Sequence, residues 1–553
     1  EHYIDVIIPA LKYQHIKSIY PGTTIITTEK DIKNNLRTKQ DVTGYRTYEQ
    51  TVLELQQLQS TYPEICKLYN LGKTWGTIYS DSSYSAYDEF RHNIWALKLS
   101  DNVETEEDEP GFYFFDLHHA RELPSTEVVM GILNDLVSKY ATDADAQKRI
   151  NNSQIWFMPI VNPDGHKIVT SEVDVWWRKN IRDNNFSHTF PDSTEGVDLN
   201  RNYGFWWGDN STSENPASYN YRGPEPWSEP ENLIMKNFLQ EHHFVAGISY
   251  HCYGQGVLYS HAYDFNALPH DRTALYGLGE DIGSVIRTVG GFSTYITQPI
   301  NTAGANMGLL LDYAYGHHGI FSYCVEMGTE FIPPYNIVSD NILPQNLKGA
   351  YVLLDRVDSS MLTGNISDAI TKSPLVAEII IDGIDGSGTY KDPYYSDDNF
   401  GRYYRFLEPG TYNVTFKAFG YTDLTISGVT ISSDSITSLN VSLAPALTTS
   451  LNGTVFDSVS GSGIDSAVVT VSQNLSTITD NSGAYSFEGV PYGNYIIYVS
   501  AQNYMNENIP LIIDGTTSEF SFDLLQGNLE DFESSDFSRF KWSTGGSTDW
   551  FIS

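Results

Sequence analysis

Cysteine is nearly absent from this chain: Cys66, Cys252 and Cys324 are the whole supply in 553 residues. Three thiols cannot define a disulfide framework; Cys252 and Cys324 are read as small buried apolar residues, with a bridge between them as the alternative. Basic side chains are also scarce, with 33 Lys and Arg against 69 Asp and Glu and a formal net charge of −36. A surface of that sign repels nucleic acid and anionic membranes, which excludes nucleic-acid partners and favours solubility. No apolar run approaches the ~20 residues of a membrane-spanning helix, so no membrane span is expected. A signal peptide is missing too, but the sequence opens on Glu1 and reads as a processed product.

Apolar residues make up 40 % of the chain and tyrosine alone numbers 38. That supply supports sizeable cores, and the length predicts three or four domains. Helical spacing covers Tyr48–Leu58 and Thr126–Tyr140, while Ile155–Ile160, Val245–Tyr250 and Phe321–Val325 read as buried strands. This alternation predicts an α/β domain with a largely parallel or mixed sheet over residues 41–365, with its functional loops at strand ends. An acidic run, Glu104 to Glu109, precedes the apolar stretch from Gly111. It reads as a solvated loop in preference to a calcium site.

Beyond about residue 370 helical periodicity disappears. Thr, Ser, Val, Ile and Tyr alternate between turns bearing Gly and Asn. An internal repeat with an 83-residue offset brings Pro409-Gly410-Thr-Tyr412 and Tyr421 back as Tyr492-Gly493-Asn-Tyr495 and Tyr504. Two small β-sandwiches are predicted, over 370–445 and 446–526. Residues 527–553 read as the start of a further β domain or a tail. Residues 1–40 form a separate N-terminal piece, with short strands near Tyr3–Pro9 and Thr24–Thr27.

The chemistry concentrates in His119-Ala-Arg-Glu122 and, far downstream, His251. Two imidazoles and a carboxylate are the donor set of a hydrolytic zinc site, which leaves a fourth position for water. The first pair lies where the strand-like run Gly111–His118 gives way to a turn, so ligands three apart can converge. His118 has Arg121 rather than a carboxylate at that spacing, which favours His119.

Four further segments follow in order: Trp177-Arg178-Lys179-Asn-Ile-Arg182, Gly196-Val-Asp-Leu-Asn200-Arg201-Asn202-Tyr203, Ser249-Tyr-His251-Cys-Tyr253, and Asp312 with Glu326 fourteen residues later. With these the chain resembles the zinc carboxypeptidases of the carboxypeptidase A type, from about Tyr45 to Leu353. The resemblance implies a three-layer mixed-sheet domain holding one Zn2+ on His119, Glu122 and His251. A metal in that setting lowers the pKa of its water toward ~7. Glu326 matches the catalytic glutamate that takes the water proton and passes it to the leaving amine.

Two arginine tasks follow from the same resemblance. One guanidinium stabilises the oxyanion. In the family as read here it closes a Trp-Arg-Lys-x-Arg run; strict spacing lands on Ile181, so Arg182 is assigned with a one-residue shift, and Arg178 is placed on the outer substrate path as the alternative. The second task is recognition of a free C-terminal carboxylate, assigned to Asn200 and Arg201, with Arg121 as an auxiliary. Tyr253 joins the substrate-binding set. Leu311, just before Asp312, falls at the floor of the side-chain pocket and predicts a preference for apolar or aromatic C-terminal residues. Counting eight back from Asp312, where the family often carries a mobile tyrosine, lands on Gly304. Either Tyr295 swings in or the role is unfilled.

The whole resembles a secreted exopeptidase acting on peptides and proteins. The N-terminal piece resembles the tail of an inhibitory prodomain, with a plain extension as the alternative. The two β units resemble the transthyretin-like modules often joined to carboxypeptidases. Two competing readings remain: a zinc amidohydrolase acting on cell-wall peptides or acyl amino acids, and an inert adhesion protein.

Overall fold

A computed structural model describes residues 41–527, apart from 190–193, 209–211, 265, 304–305, 387–390 and 473–474. The N-terminal piece 1–40 and the C-terminal stretch from 528 lie outside the described residues.

Eight strands form the central sheet: β1 (Cys66–Lys73), β2 (Asn93–Leu99), β3 (Gly111–Asp116), β4 (Gln154–Met158), β5 (Phe244–Cys252), β6 (Gly256–Tyr259), β7 (Ile296–Pro299) and β8 (Phe321–Met327). Their order is β1-β2-β4-β3-β5-β8-β6-β7. The centre, β4-β3-β5-β8, is parallel, and β2 and β6 pair antiparallel at its flanks. A parallel centre has both faces covered, so its strands read as continuous apolar runs. Accordingly β3, Gly-Phe-Tyr-Phe-Phe-Asp, is buried at every position.

Helices Pro124–Lys139 and Leu343–Asp355 pack in the larger core with Phe112, Phe114 and Ile248, whereas Pro230–Glu241 and Leu310–His318 pack with Tyr113 and Phe115 in the second. Alternation along β3 thus sends successive aromatic rings to opposite layers. The helix at Tyr48–Thr61 starts with a capping box between Thr47 and Gln50, a local signal that fixes its first turn.

Two all-β units follow. The first packs strands Glu378–Ile381, Gly410–Lys417 and Leu424–Ile431 against Met361–Asp368, Arg402–Phe406 and Ile436–Ser438. Met361–Asp368 pairs with Arg402–Phe406 in this unit's sheet, so this strand runs across the end of the 41–365 range expected for the catalytic domain. The second unit closes its core from Leu451 to Leu524. The repeat is visible in side-chain bonds. Tyr412 Oη donates to the Glu408 carbonyl and Tyr495 Oη to that of Pro491, both at 2.9 Å. Tyr421 bonds Asp368, which caps the next turn, and Tyr504 bonds Asp457 in the same way.

The first β unit sits at the N-terminal ends of the parallel strands. Arg402 donates to both carboxylate oxygens of Asp108 at 2.7 and 2.6 Å, and His317 meets Asp392 at 2.5 Å. A cleft of about 310 Å³ between the two domains is lined by residues such as Gly111, Gln154 and Phe244 at these strand starts. The functional groups gather at the other end.

Candidate active site

Past Asp116 the chain leaves β3 through Leu117, which takes a left-handed φ of 56°. His119 O then accepts from Glu122 N at 3.0 Å, closing a turn that carries ligands three apart onto one side. His251 arrives next to last on β5, which pairs β3 directly. One donor atom each from His119, Glu122 and His251 lies within 4.8 Å of the others, and all three side chains are buried.

The ring nitrogens are sorted by their outer partners. His119 Nε2 lies 3.2 Å from Asp198 Oδ1, and His251 Nε2 lies 3.3 Å from Ser249 Oγ. Both Nδ1 atoms are left facing the Glu122 carboxylate, at 2.8 and 2.9 Å, and each other at 3.2 Å. Outer hydrogen bonds of this kind set ring orientation in zinc sites. Two nitrogens and a carboxylate oxygen aimed at one point fit a zinc ion. Burial works against the Glu122 charge, but the neighbouring His119 and His251 hold it well below the usual carboxylate range, ready to serve as an anionic ligand. His118, the tandem neighbour, turns its Nε2 to the Tyr203 hydroxyl at 2.8 Å and stays outside the group.

Glu326 stands beside His251 in register on the adjoining strand β8. Burial, then the charge of Glu122, pushes its carboxyl up to about 8. Both causes penalise the carboxylate, and a bound cation would offset the second.

The Trp177–Arg182 segment is docked by backbone bonds. Ala120 N donates to Arg178 O at 3.1 Å, and the Asn162 amide bridges His118 O and Lys179 O. Gly196, at φ +80°, passes so close to the Asn180 carbonyl that a Cβ would collide with it, which fits glycine at this turn. The two candidate arginines separate here. Arg178 Nε and Nη2 bind Asp198 at 2.9 and 2.8 Å, and its Nη1 lies 3.7 Å from Glu122. Arg182 instead pairs with Glu229 at 3.1 Å over the ring of Trp75. The guanidinium beside the triad belongs to Arg178, whereas Arg182 lies against Glu229 and Trp75.

Asn200 Oδ1 accepts from Leu310 N at 3.0 Å, fixing the start of the Leu310–His318 helix. Arg201 donates to Asn306 Oδ1 at 3.1 Å, and its buried Nε has no hydrogen-bond partner among the described residues. Arg121 lies between the rings of Phe331, at 4.1 Å, and Tyr219, at 5.4 Å. Tyr253 is exposed and meets Phe331 edge-on on the same rim. Leu311 joins Leu309, Ala262 and Cys324 in a small apolar cluster with Leu258 and Ile300 packed against it. Tyr295 is buried and accepts from Gly328 N at 3.3 Å, so it does not reach over the site; Gly304 lies outside the described residues. All three thiols are buried and unbridged.

Sequence reasoning passed over Asp198, Asn162 and Ser249. Asp198 and Ser249 lie inside quoted motifs and Asn162 follows the strand-like run Ile155–Ile160, yet none of the three belongs to the ligand group. The available signal was a carboxylate, an amide and a hydroxyl within or beside runs destined for burial, where polar groups need partners.

A buried, zinc-fitting triad at the strand ends of a mixed α/β sheet defines a metallohydrolase. The chain belongs to the zinc carboxypeptidase family, which residues 52–345, more than half of it, match. Residues 450–525 match the carboxypeptidase regulatory-like domain. Among relatives, a zinc carboxypeptidase from Saccharothrix mutabilis subsp. capreolus is 29 % identical over 305 residues, covering 52 % of this chain and 62 % of that protein. Metallocarboxypeptidase A from Trichophyton tonsurans is 33 % identical, covering 37 % of this chain and 48 % of that protein. The chain thus spans about half to three fifths of these relatives. Carboxypeptidase B from Astacus astacus is 29 % identical over 52 % of this chain and 87 % of its own. The solved carboxypeptidase A from Helicoverpa armigera shares the fold, with a TM-score of 0.50 and 21 % identity over 62 % of this chain and 86 % of that one.

Proposed function

We propose that the chain is a zinc-dependent carboxypeptidase that hydrolyses the C-terminal peptide bond of peptides and proteins, acting outside the cell. The observation carrying this reading is the convergence of His119, Glu122 and His251 with Glu326 in register beside them. When bound, zinc supplies Lewis acidity and a nucleophile drawn from water at neutral pH. Glu326 takes the proton of the attacking water and returns it to the departing amine. Arg178, held by Asp198 through two of its nitrogens, keeps Nη1 for the charge that develops on the carbonyl oxygen. Arg201 and Asn200 receive the free carboxylate, and Arg121 lies on the outer path. The Leu311 cluster accepts the terminal side chain, which favours apolar or aromatic residues because it offers no charge to a Lys, Arg or Glu.

A series of N-blocked dipeptides ending in Phe, Leu, Arg and Glu, with and without a chelator, tests this reading. Chelator-sensitive release of Phe and Leu is expected, with the amidated Phe substrate inert. Preference for Arg would overturn the pocket assignment. Turnover confined to cell-wall peptides or acyl amino acids would replace the substrate class.

A further inference from the structure

The loop between β2 and β3 carries the acidic run, at the end of the sheet remote from the triad. Asp101, Glu107 and Glu109 each present a carboxylate oxygen, and the three oxygens lie within 4.8 Å of one another. Among the described residues Glu107 Oε1 receives the Asn102 amide, at 3.3 Å, while Glu107 Oε2 and Glu109 Oε2 are buried without a hydrogen-bond partner. The nearby ammonium of Lys98 donates to the Thr105 carbonyl at 3.0 Å and lies 3.8 Å from Glu106.

A second observation comes from a different element, whose side chain is bonded to the same loop. Gln154, the first residue of β4, is 3 % exposed. Its Nε2 donates to the Glu107 carbonyl at 2.9 Å, which holds the amide against the loop, and its Oε1 is buried with no partner among the described residues. Buried polar atoms are nearly always satisfied, so unpaired carboxylate and amide oxygens gathered at one loop call for a missing partner. Oxygen-only donors suit a hard cation. The nitrogen and sulfur that attract zinc are absent from the group.

We propose that Asp101, Glu107 and Glu109, with the side-chain oxygen of Gln154, bind a calcium ion. The ion would fix the loop from which Asp108, between two of the ligands, reaches out to clamp Arg402 and Asn365 of the first β unit. Calcium then becomes a staple between the catalytic domain and the β unit, and the acidic run is a site rather than a solvated loop.

The zinc-loaded full chain, titrated with calcium in a calorimeter and melted with calcium or magnesium, tests the proposal. One saturating calcium site is expected, together with a rise in Tm of about 4 °C at a hundredfold excess over Kd and a smaller rise with magnesium. Glu107→Gln with Glu109→Gln should abolish binding and the Tm shift while peptide hydrolysis persists. Should that double variant not fold, Asp101→Asn, at the exposed edge, should weaken calcium at least tenfold. No heat and no Tm shift up to millimolar calcium, or undiminished binding in the variants, would overturn the site. Asp108→Asn should keep the calcium heat but lose calcium's protection of the 356–361 junction from proteolysis; equal protection in both proteins would overturn the staple.

Discussion

The two ends of the central sheet build opposite kinds of polar site from the same strands. At the C-terminal ends of β3, β5 and β8, two imidazoles and a carboxylate face one another, and Asp198, Ser249 and Arg178 secure them from outside. At the N-terminal ends, carboxylates crowd the loop before β3, and a cleft with four histidines opens toward the first β unit. The difference lies in donor chemistry and in outer support. Nitrogen donors with fixed rings suit zinc and catalysis; oxygen donors on a loop suit a structural ion.

The sharpest way to break this contrast is at Glu326. Glu326→Gln should lower kcat by about 10³-fold, within the 10²–10⁴ attributed to a positioned general base, while zinc content stays at one per chain. Persistent hydrolysis would remove the base. The arginines come next. Arg178→Ala should lower kcat/KM by about 10²–10³-fold, as removal of an oxyanion donor does, whereas Arg182→Ala should leave turnover within a few-fold. The reverse ranking would favour Arg182 as the oxyanion donor. Asp198→Asn should weaken zinc by about 10–100-fold in a competition assay, through loss of the group that orients His119 and Arg178.

The smallest effect is on stability against pH. Burial lowers His166 to about 3, His242 to about 4 and His318 to about 3. These rings stay neutral in the folded chain, while the unfolded chain protonates them below ~6.5. Stability is therefore complete above that pH and falls as pH drops toward 4. Urea midpoints at pH 7.5 and 5 should show the loss. His242→Gln should reduce it, because one buried ring no longer resists protonation; an unchanged loss would discount His242.

The zinc triad was legible because ligand chemistry demands particular residue types, and the run from Gly111 announces the strand that delivers two of them. Strand and helix positions in the catalytic region were legible for a similar reason: continuous burial and 3.6-residue spacing are local properties. Arg178 was not. The segment Trp177–Arg182 offers two arginines, and the choice depends on backbone bonds from Ala120 and on Asp198, distant in sequence. The edge of the first β unit escaped for a related reason. Met361–Asp368 follows directly on a helical region, and only its pairing with Arg402–Phe406 assigns it to the sandwich. The acidic run looked solvated because nothing local reveals that Gln154 closes over it.

Zinc K-edge absorption on the purified full chain tests the central claim most directly. A first shell of two imidazole nitrogens and a carboxylate oxygen at about 2.0–2.2 Å is expected, lost when His251 is replaced by Ala. A sulfur neighbour at about 2.3 Å from Cys252 or Cys324, or an unchanged shell in the His251 variant, would contradict it.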